Sequence, residues 1–199
     1  MKGCIYDMLM APLEHSRFRQ IRRGMLESVK GHVLDIGSGT GASIPYYQQA
    51  ESVTMLEPDA AKIRRISRKR KHGELYWAEA SAECIPFPDN TFDEAAAFLA
   101  FCTIPDPVLA LSETARVVKP GGRVQLFEHV RMDHHPKAAA LQDFLTPAWQ
   151  LAAEGCQLNR PTRQLVEESP LRINQVRSLY GGLFLIIEAY VPSGVSPLK

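Results

Sequence analysis

Apolar positions along the 199-residue chain switch repeatedly between helical spacing and short continuous runs. Leu13, Phe18, Ile21, Met25, Leu26 and Val29 recur at helical spacing within 12–29, with Arg17, Arg19, Arg22 and Arg23 between them. That spacing predicts an amphipathic helix. Val33, Leu34 and Ile36 then form a run of the kind a parallel strand buries on both faces. Similar runs predict strands at 52–57, 75–78, 92–99 and 123–127, alternating with helices at 42–49, from Pro58 and Asp59 onward, at 109–118 and at 138–153. The alanines of 92–99 favour a helix by propensity, but the segment is short and falls where the alternation requires a strand. Residues 80–93, punctuated by Pro86 and Pro88, and the stretch carrying Arg160, Pro161 and Pro170 read as irregular. Two late strands, 173–180 and 183–191, flank Gly181 and Gly182, the two-residue connection of an antiparallel hairpin. The expected architecture is α/β, with a mostly parallel seven-stranded sheet ending in that hairpin.

The stretch 32–43, HVLDIGSGTGAS, follows the first helix. Gly37, Gly39 and Gly41 permit positive φ and let backbone N–H groups approach a ligand closely. The glycines alone leave two readings open. Gly37, Gly39 and Ala42 also meet the looser dinucleotide fingerprint, and Glu57 lies about 20 residues on, where an acid binds ribose hydroxyls. Charge separates the two. Asp35, just before the glycines, would repel a pyrophosphate but suits a ligand bearing an ammonium or sulfonium group, as S-adenosylmethionine does. A plain strand-to-helix turn with a capping acid is the bland alternative.

Length and charge narrow the classes further. One α/β domain fits the length, and 23 basic against 22 acidic side chains, a formal charge of +1, give no global sign of nucleic-acid binding. The run Lys62, Arg64, Arg65, Arg68, Lys69, Arg70 and Lys71 reads as a solvated outer helix with Ile63 and Ile66 facing inward, phosphate binding being the sharper alternative. Cys4, Cys84, Cys102 and Cys156 show no paired spacing, so neither a disulfide framework nor a metal site is expected, and a reducing compartment fits. No run approaches the roughly 20 apolar residues of a membrane span, and the N-terminus lacks the apolar core of a secretory signal. A cytoplasmic protein is expected, with peripheral attachment of the arginine-bearing first helix to an anionic membrane as a minor alternative.

Four ordered motifs, DIGSGTG, the acid ending the second strand, IPFPDNTFD and VVKPGGRV, together resemble the class I S-adenosylmethionine-dependent methyltransferases over about residues 31–130. The nearest broad group includes the ubiquinone and menaquinone methyltransferases. The resemblance implies a single Rossmann-like methyltransferase domain: a helical cap at 1–30, a cofactor core at 31–130, and a substrate-side helix and hairpin at 131–199. It implies S-adenosyl-L-methionine as methyl donor. Asp35, Gly37, Ser38, Gly39 and Gly41 would meet its methionine end, with backbone N–H groups of the turn near its carboxylate. Glu57 and Pro58 would meet the ribose, Ser81 and Ala82 the adenine, and Phe98 completes the set. Many relatives carry Asp where Ser81 stands; a hydroxyl also accepts a bond from the adenine amino group, without charge, and Glu83 would share that role. Phe101, Cys102 and Thr103, the EHV at 128–130 and TPAWQLAAEGCQLNR at 146–160 are further similar to the methyltransferase-like proteins that methylate alkyl thiols. That group has a DPxW element where this chain has Thr146, Pro147 and Trp149, and an N-terminal membrane anchor that is not evident here. Tyr6, Phe101, Cys102, Thr103 and Trp149 are the substrate-side candidates.

Methyl transfer to a nucleophile is an in-line displacement at an already activated carbon, so alignment is the main requirement and a base is needed only for a protonated acceptor. His129, after Glu128 at the carboxyl end of the fifth strand, is the candidate base, with a structural histidine as the competing explanation. His134 and His135 read as loop residues. Phe98, Phe101, Phe144 and Trp149 would build an apolar acceptor pocket, although plain core packing explains each as well. The expected function is methyl transfer to a small lipophilic or thiol-bearing acceptor. A phospholipid amine N-methyltransferase is the alternative, and a nucleotide-binding oxidoreductase or non-catalytic binding module is the alternative from another class.

Overall fold

The computed structural model describes residues 17–66, 74–153 and 155–193. Its strands are β1 (Lys30–Ile36), β2 (Gln49–Leu56), β3 (Glu74–Ala78), β4 (Glu94–Phe98), β5 (Arg123–His129), β6 (Arg172–Leu179) and β7 (Phe184–Tyr190). They form a single sheet in the order β3-β2-β1-β4-β5-β7-β6, parallel from β3 through β5, with β7 antiparallel to both of its neighbours. The chain steps outward from β1 through β2 to β3, then returns to lay β4 on the other side of β1. That reversal opens a crevice beyond the carboxyl ends of β1 and β4, where open α/β sheets bind ligands.

The expected alternation of the runs is realised as two apolar layers, one on each face of the sheet. Leu34, Ile36, Ala95, Ala97 and Leu126 face α3 (Pro107–Val117) and α5 (Thr162–Glu168), against Leu111 and Val166. Val33, Met55, Ala96 and Phe127 face Phe18, Met25 and Leu26 of the first helical segment, whose regular part is α1 (Arg19–Leu26). Alanines in the central strand are thus covered on both sides, which explains why a stretch with helical propensity forms a strand. Two of the quoted motifs meet at the opposite end of the sheet. Phe92 bridges Val118, Lys119 Nζ pairs with Asp93 at 2.6 Å, and a Cβ on Gly122 would lie 2.4 Å from the Asp93 carbonyl oxygen. These residues fasten α3 to the sheet and stay away from the crevice.

Three expectations are corrected. No α-helix spans 42–49: only a 3-10 turn at Ile44–Tyr46 follows the glycines, and β2 begins at Gln49. Three positive-φ glycines and Pro45 leave too few residues to nucleate an α-helix there. The stretch after Arg160 contains a short helix, α5, stabilised along its exposed side by Arg163 Nε donating to Glu167 Oε1 at 2.8 Å. The hairpin connection is longer than two residues, because a 3-10 turn at Tyr180–Gly182 separates β6 from β7, with positive φ at Tyr180, Gly181 and Gly182. The expected basic run falls partly outside the described residues and Tyr6 wholly so; the described part of the run, α2 (Ala60–Ile66), turns Ile63 inward as expected.

Candidate active site

A cavity of about 860 Å³ occupies the crevice. One wall is the turn after β1, the end of β2 and the loop after β3; the other is the turn after β4 and the end of α4 (Pro136–Ala152).

The glycine turn is shaped by its own backbone. Gly37, Gly39 and Gly41 have φ of 65°, 57° and 76°. Side chains are excluded at Gly37, where a Cβ would sit 2.5 Å from the Ala100 Cβ of the neighbouring loop, whereas Gly39 faces open space. Ser38 N donates to Leu56 O at 3.1 Å, Gly39 N to Glu57 Oε2 at 2.9 Å and Gly41 N to Ser38 O at 2.9 Å. The turn is therefore pinned to the end of β2, and these three amides point to protein acceptors rather than into the cavity.

Glu57, one residue past β2, accepts from Asp59 N with its other oxygen at 3.2 Å. Each carboxylate oxygen retains acceptor capacity, so a vicinal diol could still be met there. Asp35 is buried at the last turn of β1, with Oδ2 lacking a hydrogen-bond partner. Burial pushes its carboxyl up to about 7, and the neighbouring Arg22 guanidinium and Tyr47 hydroxyl oppose that rise. An acceptor without a donor in a cavity wall is what an ammonium group would satisfy, and in this respect the residues fit an amino-acid-bearing methyl donor. On the far side of the crevice, Ser81 Oγ bonds the Glu83 carboxylate, whose other oxygen accepts from Asp106 N at 3.2 Å. The loop after β3 is thereby tied to the start of α3.

The opposite wall is positioned by Glu128. This carboxylate, fully buried near the end of β5, accepts from Ala100 N and Phe101 N at 3.0 Å each and from Cys102 N at 3.1 Å. Burial pushes its carboxyl up to about 7 against those three bonds. The chain after β4 consequently turns back on itself, with Leu99 at φ 58°, and presents Leu99, Ala100, Thr103 and Ile104 to the cavity.

Of the residues expected from the sequence, Asp35, Gly37, Ser38, Gly39, Glu57, Pro58, Ser81, Ala82, Phe98 and Thr103 line the cavity. Gly41 shapes the turn without lining it. Phe101 packs into the apolar layer beneath, and Cys102 lies behind the wall with Ala153, Cys156 and Trp149. Contact with Cys156 and burial push the Cys102 thiol well above its ordinary range. Phe144 points to solvent on α4, 80% exposed, so it builds no pocket with the others. His129 shares a sheet face with Phe127, packs edge-on against Phe184 at 5.4 Å between centroids and does not line the cavity; burial lowers its pKa to about 4. The lining also includes residues the sequence reading did not assign to a site: Arg22 of α1, Lys62 and Arg65 of α2, Pro105 and Ala153. No cluster of metal-ligating side chains exists among the described residues.

The methyltransferase domain family matches residues 34–126, the segment that builds most of this cavity. The chain is 30% identical over 196 residues to a phosphatidylethanolamine N-methyltransferase of Cereibacter sphaeroides, covering 94% of this chain and 92% of that protein. It belongs to the S-adenosylmethionine-dependent methyltransferases. This methyltransferase is also 27% identical over 182 residues to the human thiol S-methyltransferase TMT1A, covering 87% of this chain and 75% of that one. An S-adenosylmethionine-dependent methyltransferase structure from Mesorhizobium loti shares its fold, with a TM-score of 0.70, 16% identity and coverage of 86% and 96%. Family membership sets aside the oxidoreductase and binding-module alternatives and makes S-adenosylmethionine the methyl donor.

Proposed function

We propose that this methyltransferase acts on a small lipophilic or thiol-bearing acceptor. The carrying observation is the composition of one wall of the cavity, where Phe98, Leu99, Ile104, Pro105 and Ala153 are apolar lining residues. Ala153 caps α4, whose outer side exposes Leu141, Phe144, Leu145 and Leu151. Apolar residues in the cavity lining, together with those on the exposed side of the neighbouring helix, favour an acceptor partitioned between water and lipid. A cytoplasmic location with peripheral lipid contact through α4 agrees with that reading, and among the described residues no helix is long and apolar enough to cross a membrane.

In this reading the bound donor supplies a methyl group on a sulfonium, and the protein supplies alignment. Glu57 and Pro58 would hold the ribose, Ser81, Ala82 and Glu83 the adenine edge, and Asp35 the ammonium of the amino-acid end. Phe98 and Thr103, both in the cavity lining, would stand on the acceptor side, Thr103 placed there by the turn that Glu128 holds. A thiol with pKa near about 8.5 supplies enough thiolate by itself near neutral pH, so no base is required and His129 is not given that role.

The second reading, a phospholipid amine as acceptor, is favoured by Lys62 and Arg65 in the cavity lining, which would meet a phosphate, and by the acceptor named for the Cereibacter relative. Incubating the protein with methyl-labelled S-adenosylmethionine and a panel of alkyl thiols, phenols, quinols and phosphatidylethanolamine vesicles separates the readings. Label in the thiols supports the first, and label only in the vesicles replaces it with the second. Glu57→Ala should abolish transfer to whichever acceptor is used.

A further inference from the structure

Two thiols meet behind one wall of the cavity. Cys102 and Cys156 are both buried and both free, and they pack together with Ala153 and Trp149. Gln157 N donates to Cys102 O at 2.8 Å, so the two cysteine backbones adjoin. A disulfide spans Cα atoms roughly 4.4–6.8 Å apart, the order of separation that one hydrogen bond between adjacent backbones sets. Thr103, next to Cys102 in the chain, and Ala153, packed with Cys156, line the cavity. The pair therefore lies one side chain behind a surface that a small oxidant reaches.

The two thiols are not equivalent. The Cys102 side chain, and after it Trp149, hold the Cys156 thiol below its ordinary value while burial opposes them, whereas Cys102 itself is pushed well above. The Arg160 charge favours the thiolate of each. Arg160 is 3% exposed, donates Nη1 to Ile104 O at 2.7 Å, and has no hydrogen-bond partner at Nε among the described residues. A thiol favoured as its thiolate near a cation, with a second thiol in contact, is the arrangement of a nucleophile and its resolving partner. We propose that Cys102 and Cys156 form a peroxide-sensitive dithiol that closes a reversible disulfide across the back of the cavity wall. The Cys156 thiolate attacks hydrogen peroxide: an S–O bond forms, the O–O bond breaks and hydroxide leaves. The Cys102 sulfur then attacks the Cys156 sulfenic acid, forming the S–S bond, breaking the S–O bond and releasing water that carries away the Cys102 proton. Two electrons pass from the sulfur pair to the peroxide, and a dithiol reductant returns them. Closure removes the Cys102 S–H that donates to Leu99 O at 3.6 Å and ties the turn after β4 to the segment after α4.

Neither step involves the methyl donor or the acceptor. The full chain carrying Cys4→Ser and Cys84→Ser is treated with hydrogen peroxide, alkylated while denatured and mapped by mass spectrometry. Both remaining thiols should disappear together, with the mass of two hydrogens lost, and dithiothreitol should restore both. When Cys102→Ser is added, Cys156 should stop at a sulfenic acid that dimedone traps; when Cys156→Ser is added instead, Cys102 should stay unreacted at the same dose. Hydrogen exchange of the amides in 99–104 should slow about 3- to 10-fold on closure, while exchange in 35–59 stays within about 2-fold. Oxidation of one thiol without the other in the two-cysteine protein overturns the pair, and dimedone label on Cys102 in place of Cys156 overturns the assigned roles. A closed disulfide that leaves exchange in 99–104 unchanged overturns its hold on the wall.

Discussion

Glu128 and Phe101 are joined by a 3.0 Å bond from a backbone N–H to a carboxylate with no exposure to solvent, and the same carboxylate also holds Ala100 and Cys102. One side chain of β5 thus shapes the loop after β4. Glu128→Gln should leave the Cys102 N–H facing an amide donor in place of an acceptor, because two of the three bonds fall on one oxygen. A loss of about 2 kcal/mol is expected in urea unfolding, together with a larger rise in KM for the acceptor than for the donor.

The same group predicts a pH dependence. Burial raises the carboxyls of both Glu128 and Asp35 to about 7 in the folded protein, above their unfolded values of 4.5 and 3.8. Stability from a raised acid is fully present below its unfolded pKa and is lost as pH rises through its folded pKa. His129 acts in the opposite sense, but only below its unfolded value of 6.5, because its folded pKa is lowered to about 4. Between pH 6.5 and 8 the two carboxyls therefore dominate among these three groups, and the thermal midpoint of the ligand-free protein should fall across that window. Glu128→Gln should flatten the fall by removing one of them. A wild-type midpoint that rises over the same window would contradict this.

Gly37 and Gly39 look equivalent in the sequence and are separated by their surroundings. At Gly37→Ala the strained φ adds to a collision with Ala100, and a loss of about 2–4 kcal/mol is expected. At Gly39→Ala only the backbone term of about 1 kcal/mol applies, since the new methyl group meets open space. Chemical denaturation of the two variants side by side gives the comparison, and equal losses would contradict it.

Arg116 of α3 braces the loop after β3. Its guanidinium donates to Phe87 O at 2.8 Å and Ile85 O at 2.9 Å while pairing with Glu113 and Asp89. Lysine cannot reproduce that fan of donors, so Arg116→Lys should destabilise by about 2 kcal/mol, or roughly 4–8 °C in thermal midpoint. Protease cleavage within 80–89 should accelerate at the same time, and an unchanged cleavage rate would argue that the loop stands without this brace.

The exposed side of α4 allows a prediction with the opposite profile. Leu151 and Phe144 are 76% and 80% exposed, so replacing both with Ser should shift stability by no more than about 0.5 kcal/mol each. Turnover of a long-chain thiol should fall several-fold while that of a short, water-soluble thiol stays unchanged. Equal effects on both acceptors would detach the helix from acceptor delivery.

Most of the sheet is legible in the sequence because runs such as Val33 to Ile36 and the alternation of elements fix strand number and direction. Asp35 and Glu57 are legible because the turn chemistry places them. What escapes is decided by tertiary partners. Arg22 looks like one more arginine on a solvated face, although it stands four residues after Phe18 and three before Met25, inside the apolar stripe; a lone charge in that stripe was the available signal. Helix α4 inverts the usual pattern. Gln142 faces inward and donates to Val130 O at 2.9 Å and Leu158 O at 2.8 Å while accepting from Met132 N at 2.8 Å, so the helix is anchored through polar bonds and turns its leucines outward. No periodicity argument anticipates that, because it presumes that the apolar side is the buried one. The bonds from Glu128 to the loop after β4 connect residues 26–28 positions apart and leave no local trace.

The two walls of the cavity come from different parts of the chain. Apart from Arg22, every lining residue from Asp35 to Glu83 belongs to the first three strands, to α2 or to the segments that follow and join them, whereas the opposite wall is assembled from residues 98–105 and the end of α4. Such a division lets one wall be changed without touching the strands and turns that build the other. For engineering, it marks 99–105 and α4 as the segments to exchange between methyltransferases when a new acceptor is wanted, with Glu128 transferred alongside them to keep the grafted turn in register.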